Sequence, residues 1–182
     1  MRFTETTLPG AFLVDPETHR DDRGFFARTF CEEEFSAKGL SPRVAQCSLS
    51  YNARKGTLRG MHYQAPPNAE AKLVRCTRGS IHDVIVDLRR SSSTFRKWIA
   101  VELSATNRRM LFVPEGFAHG FQSLEDGAEV FYQISVPYRP EAARGVRWND
   151  PSFAIAWPLP DPVLSARDQS FPDFSEERCE FS

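Results

Sequence analysis

Along most of the chain, apolar and polar residues alternate in short runs, and Gly, Pro, Asn or Asp interrupt them roughly every ten residues. This is the pattern of half-buried strands in an all-β domain. Residues 81–88 show it most clearly: Val84, Val86 and Leu88 share one face, while Asp83, Ile85 and Asp87 share the other. The same pattern predicts further strands at 11–15, 25–30, 43–52, 57–64, 72–78, 98–103, 110–113, 120–124 and 130–136. One helical stretch, residues 32–38 closed by Gly39, is a short connection and not a framework element. The expected architecture is a single domain over 1–182, an all-β antiparallel jelly-roll sandwich or barrel with short peripheral helices and a pocket between its sheets. From Asp150 onward, Pro and Asp with scattered aromatics (Phe153, Trp157, Phe171, Phe174) predict an irregular tail packed over the barrel.

Composition narrows the partners. With 23 Lys and Arg against 24 Asp and Glu, the net charge is −1, which argues against a nucleic-acid tract or a polybasic membrane anchor. The apolar runs are too short to span a bilayer, and the first ten residues lack the layout of a secretory leader, so a soluble cytoplasmic protein is expected. Cys31, Cys47, Cys76 and Cys179 form no C-x-x-C pair, so reduced thiols are expected rather than a zinc knuckle or redox dithiol.

Two segments carry the candidate chemistry. In 56–64, strict alternation puts Leu58, Gly60, His62 and Gln64 on one face and Arg59 and Tyr63 on the other. Gly60 then leaves an open floor beside the His62 imidazole, with room for a ligand. In 114–121, a Pro–Gly turn delivers His119 to the start of a strand. Taken alone, His62 reads equally well as a buried histidine satisfied by a neighbour, and His119 also reads as a surface residue after a turn; the pairing of two such strands around a pocket favours a site.

The spacings Gly60-x-His62-x-Gln64 and Pro114-x-Gly116-x-x-His119 resemble the two signatures of a cupin jelly roll. Cupins commonly ligate a metal through two histidines of the first signature, but Gln64 stands at the second position and Lys72 adds an opposing positive charge. A metal cupin using His62, Gln64, Glu70 and His119 stays open as an alternative.

A closer resemblance runs from Asp22 to Asp168. Its motifs are Leu58-Arg-Gly-Met-His-Tyr-Gln64, Lys72-Leu-Val-Arg75, Asp83-Val-Ile-Val-Asp-Leu-Arg89, Phe112-Val-Pro-Glu-Gly-Phe-Ala-His-Gly-Phe121 and Gly145-Val-Arg-Trp-Asn-Asp-Pro151. Together they are similar to the dTDP-4-dehydrorhamnose 3,5-epimerase family, which has a metal-independent cupin fold. The resemblance implies an epimerase acting at C3 and C5 of a nucleotide-linked 4-keto-6-deoxyhexose, needing no metal and no cofactor because the substrate's own ketone acidifies both carbons. A C3-only epimerase on another nucleotide sugar and a non-catalytic sugar-nucleotide binding protein stay open as alternatives. It implies His62 as the base, Asp168 as its orienting carboxylate, Tyr132 as the acid and Lys72 as the cation beside the C4 oxygen. Arg23 and Arg59 match diphosphate contacts, His119 a further substrate contact, and Tyr138 an aromatic that stacks on the base. Gln46 and Ser48 fall in a substrate-binding strand, and Arg167 stands where Lys is frequent. A homodimer is also implied, with Arg23 and Arg28 reaching the partner's site. Departures gather at the nucleotide end: Arg28 replaces the usual Glu, Ser48 the usual Asn, Ala143 a common Glu, and residues 50–56 run one longer.

Overall fold

The computed structural model describes residues 1–181; Ser182, the last position of the expected domain, lies outside the described residues. Two antiparallel sheets face each other. One has six strands in the order β1 (Arg2–Glu5), β2 (Phe12–Asp15), β10 (Met110–Val113), β7 (Lys72–Arg78), β12 (Ala128–Ile134) and β5 (Gln46–Asn52). The other has five, in the order β13 (Ala143–Gly145), β6 (Leu58–Gln64), β11 (Phe117–Ser123), β8 (Ser80–Asp87) and β9 (Trp98–Ser104). A separate hairpin, β3 (Thr18–Asp21) with β4 (Gly24–Ala27), stands apart from both sheets. The helices are α1 (Glu32–Ala37) and α2 (Ala166–Ser170), with a 3-10 turn at Glu176–Arg178. This is a cupin-like β-sandwich, as the sequence pattern and the resemblance led one to expect.

The core divides as the alternation demands. Ile81 and Ile85 of β8 join Val74, Leu111, Val130, Phe117 and Phe121 between the sheets. Val84 and Val86, with Leu88, pack on the outer face with Ala118, Val146, Phe153 and Ile155, so the tail after Asp150 covers that face as expected. On the outside of the six-stranded sheet, Phe35 of α1 packs over Val14, Leu73, Met110 and Phe112. That cover ends halfway: β12 and β5 leave Leu49 and Tyr51 exposed on the open part of the sheet.

Several boundaries differ from the pattern-based reading. The strand expected over 25–30 is only Gly24–Ala27, because Phe30 leaves it to pack against Phe35. The strand expected from 43 starts at Gln46, and that expected from 120 starts at Phe117. His119 is therefore a mid-strand residue and not a strand opener. β1, β3 and β13 were not anticipated; each is only three or four residues long and largely exposed, too short to display a period.

The expected alternation in β6 fails at its centre. His119 pairs with His62 and Phe121 with Arg59, so one residue of β11, Gly120, opposes two of β6, Gly60 and Met61. The extra residue is a bulge, and it shifts the facing of everything beyond it. Arg59 and His62, expected on opposite faces, both line the interior, while Met61 packs on the outer face. Gly60 does not open a pocket floor as anticipated. A Cβ there would lie 2.6 Å from the Gly120 Cα, so the missing side chain lets β6 and β11 approach each other.

Candidate active site

The mouth of the sandwich holds a cavity of about 510 Å³, within the usual range of small-ligand sites. His62, Arg59 and Gln64 of β6 and His119 of β11 line one wall, and Lys72 of β7 and Tyr132 and Ile134 of β12 line the other. Gln46, Ser48, Leu49 and Ser50 of β5, with Tyr63, Glu70, Phe121, Tyr138, Ala143, Arg144 and Arg167, complete the lining. Of the residues expected at the site, ten thus meet around one cavity or directly behind it: His62, Asp168, Tyr132, Lys72, Gln46, Ser48, Arg59, His119, Tyr138 and Arg167.

Arg23 and Arg28 do not join them within this chain. Arg23 is at the hairpin turn, nearly fully exposed and paired with Asp21 at 2.6 Å. Arg28 pairs with Glu34 at 3.1 Å beside the N-terminal amine, away from the cavity.

His62 is held from three sides. Its Nε2 lies 2.6 Å from Asp168 Oδ1, and the Phe171 ring packs edge-on at 5.7 Å. Gly145 pairs with His62 in register, and a Cβ there would strike the Phe171 ring at 2.5 Å, so that glycine is what admits the ring. Asp168 itself is fixed by α2, whose N-cap Ser165 accepts from the Asp168 amide at 3.1 Å. Burial pushes the Asp168 carboxyl up, but hydrogen bonding to His62, the His62 charge, Ser165 and the Gly60 amide together hold it below the usual carboxylate value. It is an anion at neutral pH, facing an imidazole that is open to the cavity.

His119 repeats the arrangement one strand over. Its Nε2 is 2.8 Å from Asp83 Oδ1, both residues buried. Asp83 was not singled out from the sequence, although an acid in the middle of an apolar strand was a usable signal. The His119 ring meets the Tyr132 ring edge-on at 6.1 Å. Burial, and after it the Asp83 charge, pushes the Tyr132 phenol far above its ordinary range. The hydroxyl is therefore neutral and able to give a proton.

Lys72 pairs with Glu70 at 2.8 Å, both side chains largely buried. Register places Lys72 opposite Ile134 and Val74 opposite Tyr132, so the ammonium and the phenol are diagonal neighbours on one sheet. At the mouth, Arg59 donates to Asn52 Oδ1 at 2.8 Å and to the Tyr51 carbonyl at 3.1 Å, which aims a guanidinium across β5. Gln46 Oε1 accepts from the Tyr138 amide at 2.9 Å and fixes the loop that carries that ring. Arg144 also reaches the cavity and was not anticipated. Among the described residues, no three His, Cys, Asp or Glu side chains cluster to hold a metal ion.

A carboxylate-backed imidazole on one sheet therefore faces a neutral phenol and an ammonium on the other, with guanidinium groups towards solvent. The fold and this arrangement define a carbohydrate epimerase of the cupin-like β-sandwich class, which moves protons and transfers no group. The chain belongs to the dTDP-4-dehydrorhamnose 3,5-epimerase family, whose model matches residues 5–176. It is 44% identical to the dTDP-4-dehydrorhamnose 3,5-epimerase of Methanothermobacter thermautotrophicus, over 96% of this chain and 95% of that protein. Its fold matches the dTDP-6-deoxy-D-glucose-3,5-epimerase of Legionella pneumophila, solved with dTDP-4-keto-L-rhamnose, at a TM-score of 0.92 and 34% identity, covering 100% and 98% of the two chains. A 3'-monoepimerase from Streptomyces bikiniensis, solved with dTDP-quinovose, matches at 0.86 and 36%, covering 92% and 85%.

Proposed function

We propose that this enzyme converts dTDP-4-dehydro-6-deoxyglucose to dTDP-4-dehydrorhamnose by removing and returning protons at C3 and C5. The observation that carries this reading is the placement of His62 and Tyr132 on opposite sheets across one cavity. A base on one face of a sugar ring and an acid on the other invert a carbon each time an enolate forms and is reprotonated. His62 takes the proton α to the C4 ketone, and Asp168 stabilises the imidazolium that results. Lys72 balances the charge that develops on the C4 oxygen. Tyr132 returns a proton from the opposite side. Arg59 and Arg167 pair with the diphosphate, Tyr138 stacks on the base, and Gln46, Ser48 and His119 contact the ligand.

The working unit in this proposal is a homodimer in the cytoplasm. The uncovered part of the six-stranded sheet supports it: Leu49 and Tyr51 are exposed there, and the Arg75 guanidinium lies 4.9 Å over the Phe131 ring, its Nε without a hydrogen-bond partner among the described residues. The free-standing hairpin, with Phe26 exposed beside Arg23, supplies the arm that carries Arg23 and Arg28 to the partner's cavity. Among the described residues no helix is long and apolar enough to cross a membrane.

The test is incubation with dTDP-4-dehydro-6-deoxyglucose in heavy water, following the C3 and C5 proton signals by NMR. Loss at both carbons is expected. Loss at C3 alone would make this a 3-epimerase, and no loss at either would overturn the reading. The His62→Ala variant is expected to bind dTDP normally and to exchange neither proton.

A further inference from the structure

Glu70 is the one carboxylate among the described residues lining the cavity, and its placement is exact to the residue. Chain direction at this point is set by Ala71, whose amide donates to Ser135 Oγ at 2.9 Å and whose carbonyl accepts from the Ser135 amide at 3.0 Å. On an extended segment, residues two apart share a face, so pinning Ala71 outward turns both Glu70 and Lys72 into the cavity. Their 2.8 Å contact has side chains only 10% and 9% exposed. It is the only ion pair of Lys72 among the described residues.

Every other titratable group around Lys72 is cationic or neutral. Arg59, His62 and Tyr63 face it from β6, His119 from β11, and Tyr132 from β12. Tyr138, Arg144 and Arg167 close the cavity, and Arg43 lies on the far side of Lys72, before β5. Asp168 and Asp83 stand behind the cavity wall, each committed to a histidine Nε2. An ammonium this buried, with guanidinium groups as neighbours, is costly to hold unless an anion compensates it.

We infer that Glu70 is a positioning residue that keeps Lys72 charged and fixed beside the substrate's C4 oxygen, and so sets the alkaline limit of the enzyme's working range. This rests on the reading of Lys72 as the cation that meets the enolate. Tyr132 does not set that limit, since burial moves its hydroxyl far above it. The inference requires the Glu70 charge, and not merely its shape, to matter.

The experiment is the pH profile of kcat/KM for the wild type, Glu70→Gln and Glu70→Asp, with Lys72→Met as the control. Glu70→Gln is expected to turn over within about threefold of wild type at its optimum, with KM little changed. Its alkaline limb should move at least one pH unit towards acid, a loss of about tenfold relative to wild type above the limb. The Lys72 ammonium, followed by NMR in the substrate-free protein, should titrate with the same displacement. Glu70→Asp keeps the charge and should keep the limb, while losing turnover because the carboxylate is withdrawn by one methylene. An unmoved limb in Glu70→Gln, or a Lys72 titration unaffected by it, overturns the inference. A Lys72→Met variant that binds dTDP but exchanges neither proton upholds the underlying reading of Lys72; one with full activity overturns that reading independently of Glu70.

Discussion

Replacing Asp168 by Asn tests the base most directly, because it removes one charge and almost no volume. In the structure the carboxylate is 4% exposed and 2.6 Å from His62 Nε2. When His62 takes a proton from the substrate, the imidazolium and the carboxylate become an ion pair inside the fold. Two unit charges about 4 Å apart attract by about 4 kcal/mol at an effective dielectric of about 20. An amide at the same place still offers a neutral hydrogen bond worth about 1 kcal/mol. The difference, about 3 kcal/mol, is roughly a hundredfold in rate. Stopped-time NMR of C3 deuterium incorporation should therefore fall roughly a hundredfold in Asp168→Asn, with dTDP affinity by calorimetry unchanged. An exchange rate within fivefold of wild type would refute the argument that the pair stabilises the imidazolium; a loss of dTDP binding would show that Asp168 holds the cavity's shape instead.

Tyr132→Phe should separate exchange from inversion: solvent deuterium still enters at C3 through His62, but the epimerised product fails to accumulate, and normal product formation would exclude Tyr132 as the acid. Acid stability should follow two depressed carboxylates. Burial pushes both Asp87 and Asp168 up, but Arg89, Ser92 and Thr94 around Asp87, and His62 and Ser165 around Asp168, hold each below its ordinary value. Their contribution is complete above the unfolded carboxylate value of about 4 and is lost as pH falls through the lower folded values. Urea midpoints should thus stay level from neutral pH to about 5 and drop below about 4, with a shallower drop in Asp87→Asn; an identical drop would show that other groups control it. Gly120→Ala places a Cβ 2.6 Å from Met61 Sδ and 2.8 Å from the Arg59 carbonyl, and should cost about 1–3 kcal/mol, read as a lower melting temperature. Tyr51→Asp, on the uncovered sheet face, should shift the protein towards monomer in sedimentation; an unchanged species would place the dimer contact elsewhere.

Much of this could be read from residue order. Alternation located β8 and assigned both of its faces correctly, because each face meets a different apolar layer and neither tolerates the other's residues. The resemblance selected ten residues that the fold brings to one cavity, from strands on both sheets and from α2. What escaped was of three kinds. Strands of three or four residues, such as β13, are held by their neighbours and carry no period of their own. The bulge in β6 is a relation between two strands, and strict alternation within one strand necessarily misplaced Arg59. The third kind is polarity behind the first contacts: Asp83 and Glu70 pair with a histidine and a lysine, and only packing reveals those partners. Helix α2 did leave a local trace, in Ser165 followed three residues later by Asp168.

The bulge also bears on how this site tolerates change. Because β6 is in one frame up to Arg59 and in another from Met61 onward, the proposed nucleotide contact and the proposed base are addressed separately along one strand. A substitution in either half leaves the phase of the other intact. A deletion of one residue between them would restore regular alternation with both side chains still facing inward, whereas loss of the bulge at the present spacing would turn one of them outward, into the layer now occupied by Met61. The facing of the two cavity residues is thus set by the bulge and the spacing together, and lineages or libraries derived from this chain should diversify the two halves of β6 independently so long as the bulge is kept.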